Sequence, residues 1–112
     1  MSVTIYHNPR CSKSRQTLAL LHDKGIEPTV IEYLDDMPSA DQLKGVLANL
    51  GLGPRDILRT KEAKEEGLDP ALDGAALIDA IVANPRVMQR PIVVSGNKAC
   101  IGRPPERVLD IF

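Results

Sequence analysis

Cys11 lies within the stretch Tyr6-His7-Asn8-Pro9-Arg10-Cys11-Ser12-Lys13-Ser14-Arg15. Arg10, Lys13 and Arg15 surround it, and no acidic residue occurs between His7 and Arg15. Nearby cations lower a thiol pKa, and the thiolate is the reactive form. The pattern points to a sulfur nucleophile, a captured oxyanion, or both. Free cysteines also serve as small buried hydrophobes. The charged neighbours of Cys11 and the Asn8-Pro9 turn suit that role poorly. His7, four residues before the cysteine, could be a thiolate partner, a hydrogen-bonded turn residue or an exposed side chain.

The elements on either side reinforce the first reading. An apolar run at residues 3–6 predicts a strand, and Gln16-Thr17-Leu18-Ala19-Leu20-Leu21-His22 predicts a helix. Cys11 then sits at a strand-to-helix junction, where the first helical N–H groups lack intrahelical partners. Those donors and the positive end of the helix dipole favour an anion. Lys24-Gly25 ends the helix, and the β-branched run at residues 29–33 predicts a second strand. Strand, helix and strand make a βαβ unit with a parallel pair.

Beyond a loop at residues 35–38, Ser39 and Gln42 form a capping-box signature. Leu43, Val46, Leu47 and Leu50 mark the buried face of the helix that follows. The stretch 55–69 is irregular, with a short helical turn expected at Ile57-Leu58-Arg59 and a solvated helix or loop at 61–66. Asp73 caps a further helix with Leu77, Ile78, Ile81 and Val82 on its apolar face, and Asn84-Pro85 stops it. Pro91 opens a strand at 92–94, a position where sheets tolerate proline. Gly96-Asn97 turns it into a second short strand at 99–101, giving an antiparallel hairpin. Arg103-Pro104-Pro105-Glu106 starts a final helix that buries Val108, Leu109 and Phe112. Cys100 falls in the hairpin and reads as a core residue.

The 112 residues suit a single domain, 1–112, with one core. An apolar share of 43% with 26% charged residues is that of an ordinary soluble protein. A net charge of −1 gives no cause to expect nucleic acid or an anionic membrane as partner. Three aromatic side chains, Tyr6, Tyr33 and Phe112, are too few for a base-stacking surface. With no signal peptide recognised and only two cysteines, a reducing cytoplasmic location is expected. No metal site and no bound cofactor are expected.

The element order resembles the thioredoxin-like α/β fold: a mixed central sheet (βαβ then ββα), here with an inserted helical segment. In that fold a reactive cysteine begins the first helix and a cis proline precedes the third strand. Cys11 and Pro91 occupy those places. A closer resemblance rests on Tyr6-His7-Asn8-Pro9, the spacing His7-x3-Cys11-x3-Arg15, Gln89-Arg90-Pro91-Ile92-Val93-Val94, and Arg103-Pro104 before Val108-Leu109-Asp110. In these the chain is similar to the glutathione- and glutaredoxin-dependent arsenate reductases.

That resemblance implies that Cys11 attacks arsenate, with His7 and Arg15 flanking it. It also implies that Arg59, Arg90 and Arg103 hold the oxyanion and the thiol–arsenate intermediate. Glutathione as co-substrate and glutaredoxin as reductant would complete the conversion of arsenate to arsenite. Two other readings compete. One is a glutaredoxin-like monothiol oxidoreductase acting on mixed disulfides. The other is a non-catalytic regulator of the Spx type that binds RNA polymerase. Ser14 stands where a Cys-x-x-Cys switch would place its second thiol.

Overall fold

A computed structural model describes residues 2–112. It comprises two compact units. The first joins Arg90–Phe112 to the chain up to Asp36, and the second is Met37–Gln89, the inserted helical segment.

The first unit is built on a four-stranded sheet of order β2-β1-β3-β4. Strand β1 (Val3–His7) pairs in parallel with β2 (Thr29–Glu32). On its other side β1 runs antiparallel to β3 (Ile92–Ser95), which forms a hairpin with β4 (Lys98–Ile101). The sheet is therefore mixed, as the element order implies. Alternation along β1 buries Val3, Ile5 and His7 while Thr4 and Tyr6 remain partly exposed. Helix α1 (Ser12–Asp23) buries Ser14, Thr17 and Leu21, which a helical period places on one face. Val3, Ile5, Leu21, Val93 and Val108 form the buried apolar cluster, with Cys100 partly buried against it.

Three expectations change in detail. Phe112, expected on the buried side of the final helix, is 44% exposed. The final helix is a 3₁₀ segment, Pro105–Ile111. Pro104 and Pro105 supply no N–H, and the segment begins with a bond from Arg107 N to the Pro104 carbonyl, three residues back. The helical turn expected at Ile57-Leu58-Arg59 lies earlier, as a 3₁₀ turn at Pro54–Ile57. Leu58 is instead bridged to Met88. Arg59 N donates to the Val87 carbonyl and Gln89 N to the Ile57 carbonyl, both at 2.7 Å, so this backbone finds its partners across the unit.

The second unit also holds α2 (Ala40–Leu50), α3 (Thr60–Glu65) and α4 (Gly74–Ala83). The Ser39 hydroxyl accepts from Gln42 N, and the Gln42 side chain accepts from Ser39 N. Gly51 ends α2 at φ 69°, a left-handed conformation that costs a residue with a Cβ. Leu43, Val46, Leu47, Leu77, Ile78 and Ile81 are buried as their spacing predicts. Among the described residues no helix is long and apolar enough to cross a membrane.

Removing one half of the Ser39–Gln42 box should weaken the fold without touching the sheet. Ser39→Ala should lower unfolding free energy by about 1 kcal/mol in a denaturant titration.

Candidate functional site

Strand β1 ends at His7 and α1 begins at Ser12, so Asn8-Pro9-Arg10-Cys11 spans the gap. Asn8 shapes this loop twice. Its side-chain oxygen accepts from Arg10 N at 2.9 Å, and its carbonyl accepts from Cys11 N at 3.0 Å. The first follows from the reach of the asparagine side chain to backbone two residues on, and the second is the i to i+3 bond of a turn. The Arg15 guanidinium closes the outer side by donating to the Pro9 carbonyl at 2.9 Å.

Ser14 fastens the inner side. It is fully buried, and its Oγ accepts from Asn8 N at 3.0 Å and lies 2.7 Å from His7 Nδ1. The direction of that second bond follows the histidine tautomer. Burial pushes the His7 pKa down; Arg15 adds to this and Glu32 opposes it. His7 is thus hydrogen-bonded, as in the second of the readings open to it, but it closes strand β1 instead of lying in the turn; it is buried and favoured in its neutral form.

Cys11 is the N-cap residue of α1, extended at φ −92° and ψ 123°. Its carbonyl accepts from Arg15 N, the first helical bond. The sulfur therefore hangs at the mouth of the helix. Partial burial opposes its charge. The Ser14 N–H, the Arg90 guanidinium and the Lys13 N–H outweigh that, and the thiol pKa lies below its ordinary value. Cys100 is the reverse case. Burial raises its pKa, with Arg107 opposing, and its Sγ lies 3.3 Å from the Ile101 and Arg107 carbonyls.

Arg90 reaches the sulfur from the start of β3. The Arg90–Pro91 bond is cis, and so is Arg103–Pro104. Arg103 donates to the Arg90 carbonyl at 3.0 Å, which brings the second arginine to the first. Gly102, just before Arg103, lies against Thr17 and Pro91 with no room for a side chain. A Cβ there would lie 2.7 Å from Thr17 Oγ1 and 2.8 Å from Pro91 Cγ. Gly102 N also donates to the Pro91 carbonyl at 3.0 Å.

Of the residues expected from sequence, the first unit thus brings His7, Cys11, Arg15, Arg90, Pro91 and Arg103 into one network. Arg15 is used on the loop backbone. Arg59 belongs to the second unit, where it donates to both Glu62 carboxylate oxygens and to the Gln89 side chain. Sequence reasoning gave Asn8 only a place in a turn and assigned no structural role to Ser14 or Gly102. Asn before Pro signalled the turn. The seven-residue spacing between His7 and Ser14 carries no short-range signature.

Residues 6–111 match the family described as "ArsC family". The chain belongs to the ArsC family. It is 49% identical to the "Arsenate reductase" of Haemophilus influenzae, with 100% of each chain covered. It is 53% identical to the "Uncharacterized protein YfgD" of Escherichia coli K12, over 97% of this chain and 95% of that one. The solved structure "Arsenate reductase from Vibrio cholerae" superposes with a TM-score of 0.89 at 47% identity, covering 100% of this chain and 98% of that one. The fold is accordingly the thioredoxin-like arrangement of this ArsC family chain.

The donors at Cys11 can be tested one at a time. Arg90→Ala should raise the thiol pKa, read from thiolate absorbance against pH with Cys11→Ser as blank. Gly102→Ala should raise it too, because the added methyl must displace Thr17 or the Pro91 ring. Thr17→Ala in the same chain should restore part of the shift. The linked stability has a defined sign. A depressed folded pKa stabilises the fold above the unfolded thiol's pKa, and this contribution is lost as pH falls through the folded value. Cys11→Ser should remove that part of the pH dependence.

Proposed function

We infer that the protein reduces arsenate to arsenite, with Cys11 as nucleophile and glutathione and glutaredoxin as the source of electrons. The observation that carries this reading is the Cys11 sulfur held at a helix N-terminus against Arg90, with Arg103 bonded to the Arg90 backbone. The names of the relatives support arsenate as the substrate.

Arsenate is a tetrahedral anion whose paired oxygens match a guanidinium fork. In the proposed reaction Arg90 and Arg103 bind those oxygens, and the helix N-terminus adds to the positive field. The Cys11 thiolate attacks arsenic and one oxygen leaves as water after protonation. Arsenic remains pentavalent in the resulting Cys11 thioester of arsenate. Glutathione then displaces a second oxygen as water. Glutaredoxin supplies the second thiol of a disulfide, and the two thiols' electron pair takes arsenic to the trivalent state. Water then adds to arsenic and displaces the Cys11 sulfur, so arsenite leaves with three oxygens and Cys11 returns as thiolate. The donors at sulfur act at both ends of this cycle: they maintain the nucleophile and make it a good leaving group.

Purified protein with arsenate, glutathione and glutaredoxin should form arsenite, and omission of either thiol component should stop turnover. Arsenite formation undiminished without glutaredoxin would reject the assignment of the reductant. Failure to form arsenite with any thiol partner would reject the substrate. Cys11→Ser should abolish activity while Cys100→Ser retains most of it; equal losses would indicate a two-cysteine cycle instead. Arg90→Lys and Arg103→Lys keep the charge and lose the fork. Each should lower kcat/KM by about ten- to a hundredfold, the equivalent of one charge-assisted hydrogen bond. Full activity in the lysine variants would reduce the arginines' part to electrostatic attraction.

A further inference from the structure

The second unit contains a cavity of about 530 Å³. That volume is within the range of small-molecule sites. Leu58, Leu68, Leu72 and Leu77 provide apolar lining, and Lys61 and Lys64 line it from α3. The cavity belongs wholly to Met37–Gln89 and uses none of the residues around Cys11.

The charges of this unit are sorted. The acids of α3 and its C-cap are taken by arginines: Glu62 by Arg59, and Glu65 and Glu66 by Arg86. Lys61 and Lys64, three residues apart and thus on one helix face, form no ion pair among the described residues. Lysine stems cover apolar surface while the ammonium groups stay at its edge. Two uncompensated cations therefore border an apolar hollow. Asp69 is the one acid in the lining, and its Oδ1 accepts from Ala71 N.

Arg55 also lines the cavity, but its guanidinium is already committed. It donates to the Pro70 and Leu72 carbonyls at 3.2 and 2.9 Å and pairs with Asp73. These bonds secure the loop that carries Leu68 and Leu72, so that this wall exists before any ligand arrives. A preformed apolar hollow with spare cations at one side favours a ligand with an apolar body and one anionic head.

We propose that this cavity binds a small apolar carboxylate, its chain among Leu58, Leu68, Leu72 and Leu77 and its head between Lys61 and Lys64. A neutral molecule of the same body lacks the charge-assisted bonds, and a cationic one meets like charge.

Octanoate, 1-octanol and octylammonium share one chain and differ in the head, so they separate these contributions. Each is titrated into the full chain while backbone amide shifts are followed by NMR. Octanoate should shift amides of residues 58–77 saturably and bind about tenfold tighter than octanol, the effect of one charge-assisted bond. Octylammonium should be weakest. The double variant Lys61→Gln with Lys64→Gln changes two exposed side chains. It should bring octanoate down to the affinity of octanol and leave octanol unchanged. Shifts confined to other residues, no saturation by octanoate, or equal binding of all three heads would overturn the proposal. The readout is binding alone, so its failure would be separate from any failure of the Cys11 chemistry.

Discussion

The first unit depends on favouring negative charge on a partly buried sulfur at the end of a helix. Burial alone would neutralise the Cys11 thiol. Two backbone N–H groups and one guanidinium reverse that preference. The donors come from distant parts of the chain: α1 supplies the N–H groups, and the start of β3 supplies Arg90. Their convergence requires β1 and β3 to be adjacent, which the antiparallel register of the two strands secures. The sheet order is therefore a condition of the thiol's acidity as well as a packing solution.

The loop between β1 and α1 shows how a small polar set can do this. Asn8 and Ser14 are buried polar residues in a unit that also holds a buried aliphatic cluster. The Asn8 N–H, the Asn8 side-chain oxygen and the Ser14 hydroxyl each have a partner here. A buried polar group without partners would cost about 1–3 kcal/mol, so the loop has few ways to relax. The donors it places around the sulfur separate Cys11 from Cys100. The latter, at the edge of the apolar cluster, faces carbonyl oxygens that favour a protonated thiol.

Much of this was legible in the sequence because it rests on local rules. Alternation in β1, the helical period of α1, the Ser39–Gln42 box and the Gly96-Asn97 turn are all written within a few residues. The basic surroundings of Cys11 are equally local. The rest depends on long-range contact. The role of Ser14 depends on β1 presenting His7 to the same face of α1. Gly102 becomes constraining only when Thr17 and Pro91 meet it. The backbone of residues 57–59 bonds to residues 87 and 89, some thirty positions on, so helical propensity alone misplaces the turn there.

The outer strand β2 bears on how these molecules behave in company. It is only four residues long, Thr29–Glu32, and it pairs on one side alone. An open strand edge is a template for further strands and so for aggregation. Here Pro28 precedes the edge and removes one donor. Glu27 and Glu32 bracket it, with Asp35 and Asp36 just beyond. Two copies meeting along this edge would bring carboxylates against carboxylates. The same side of the sheet that leaves Val30 open to water thereby carries its own deterrent to self-association.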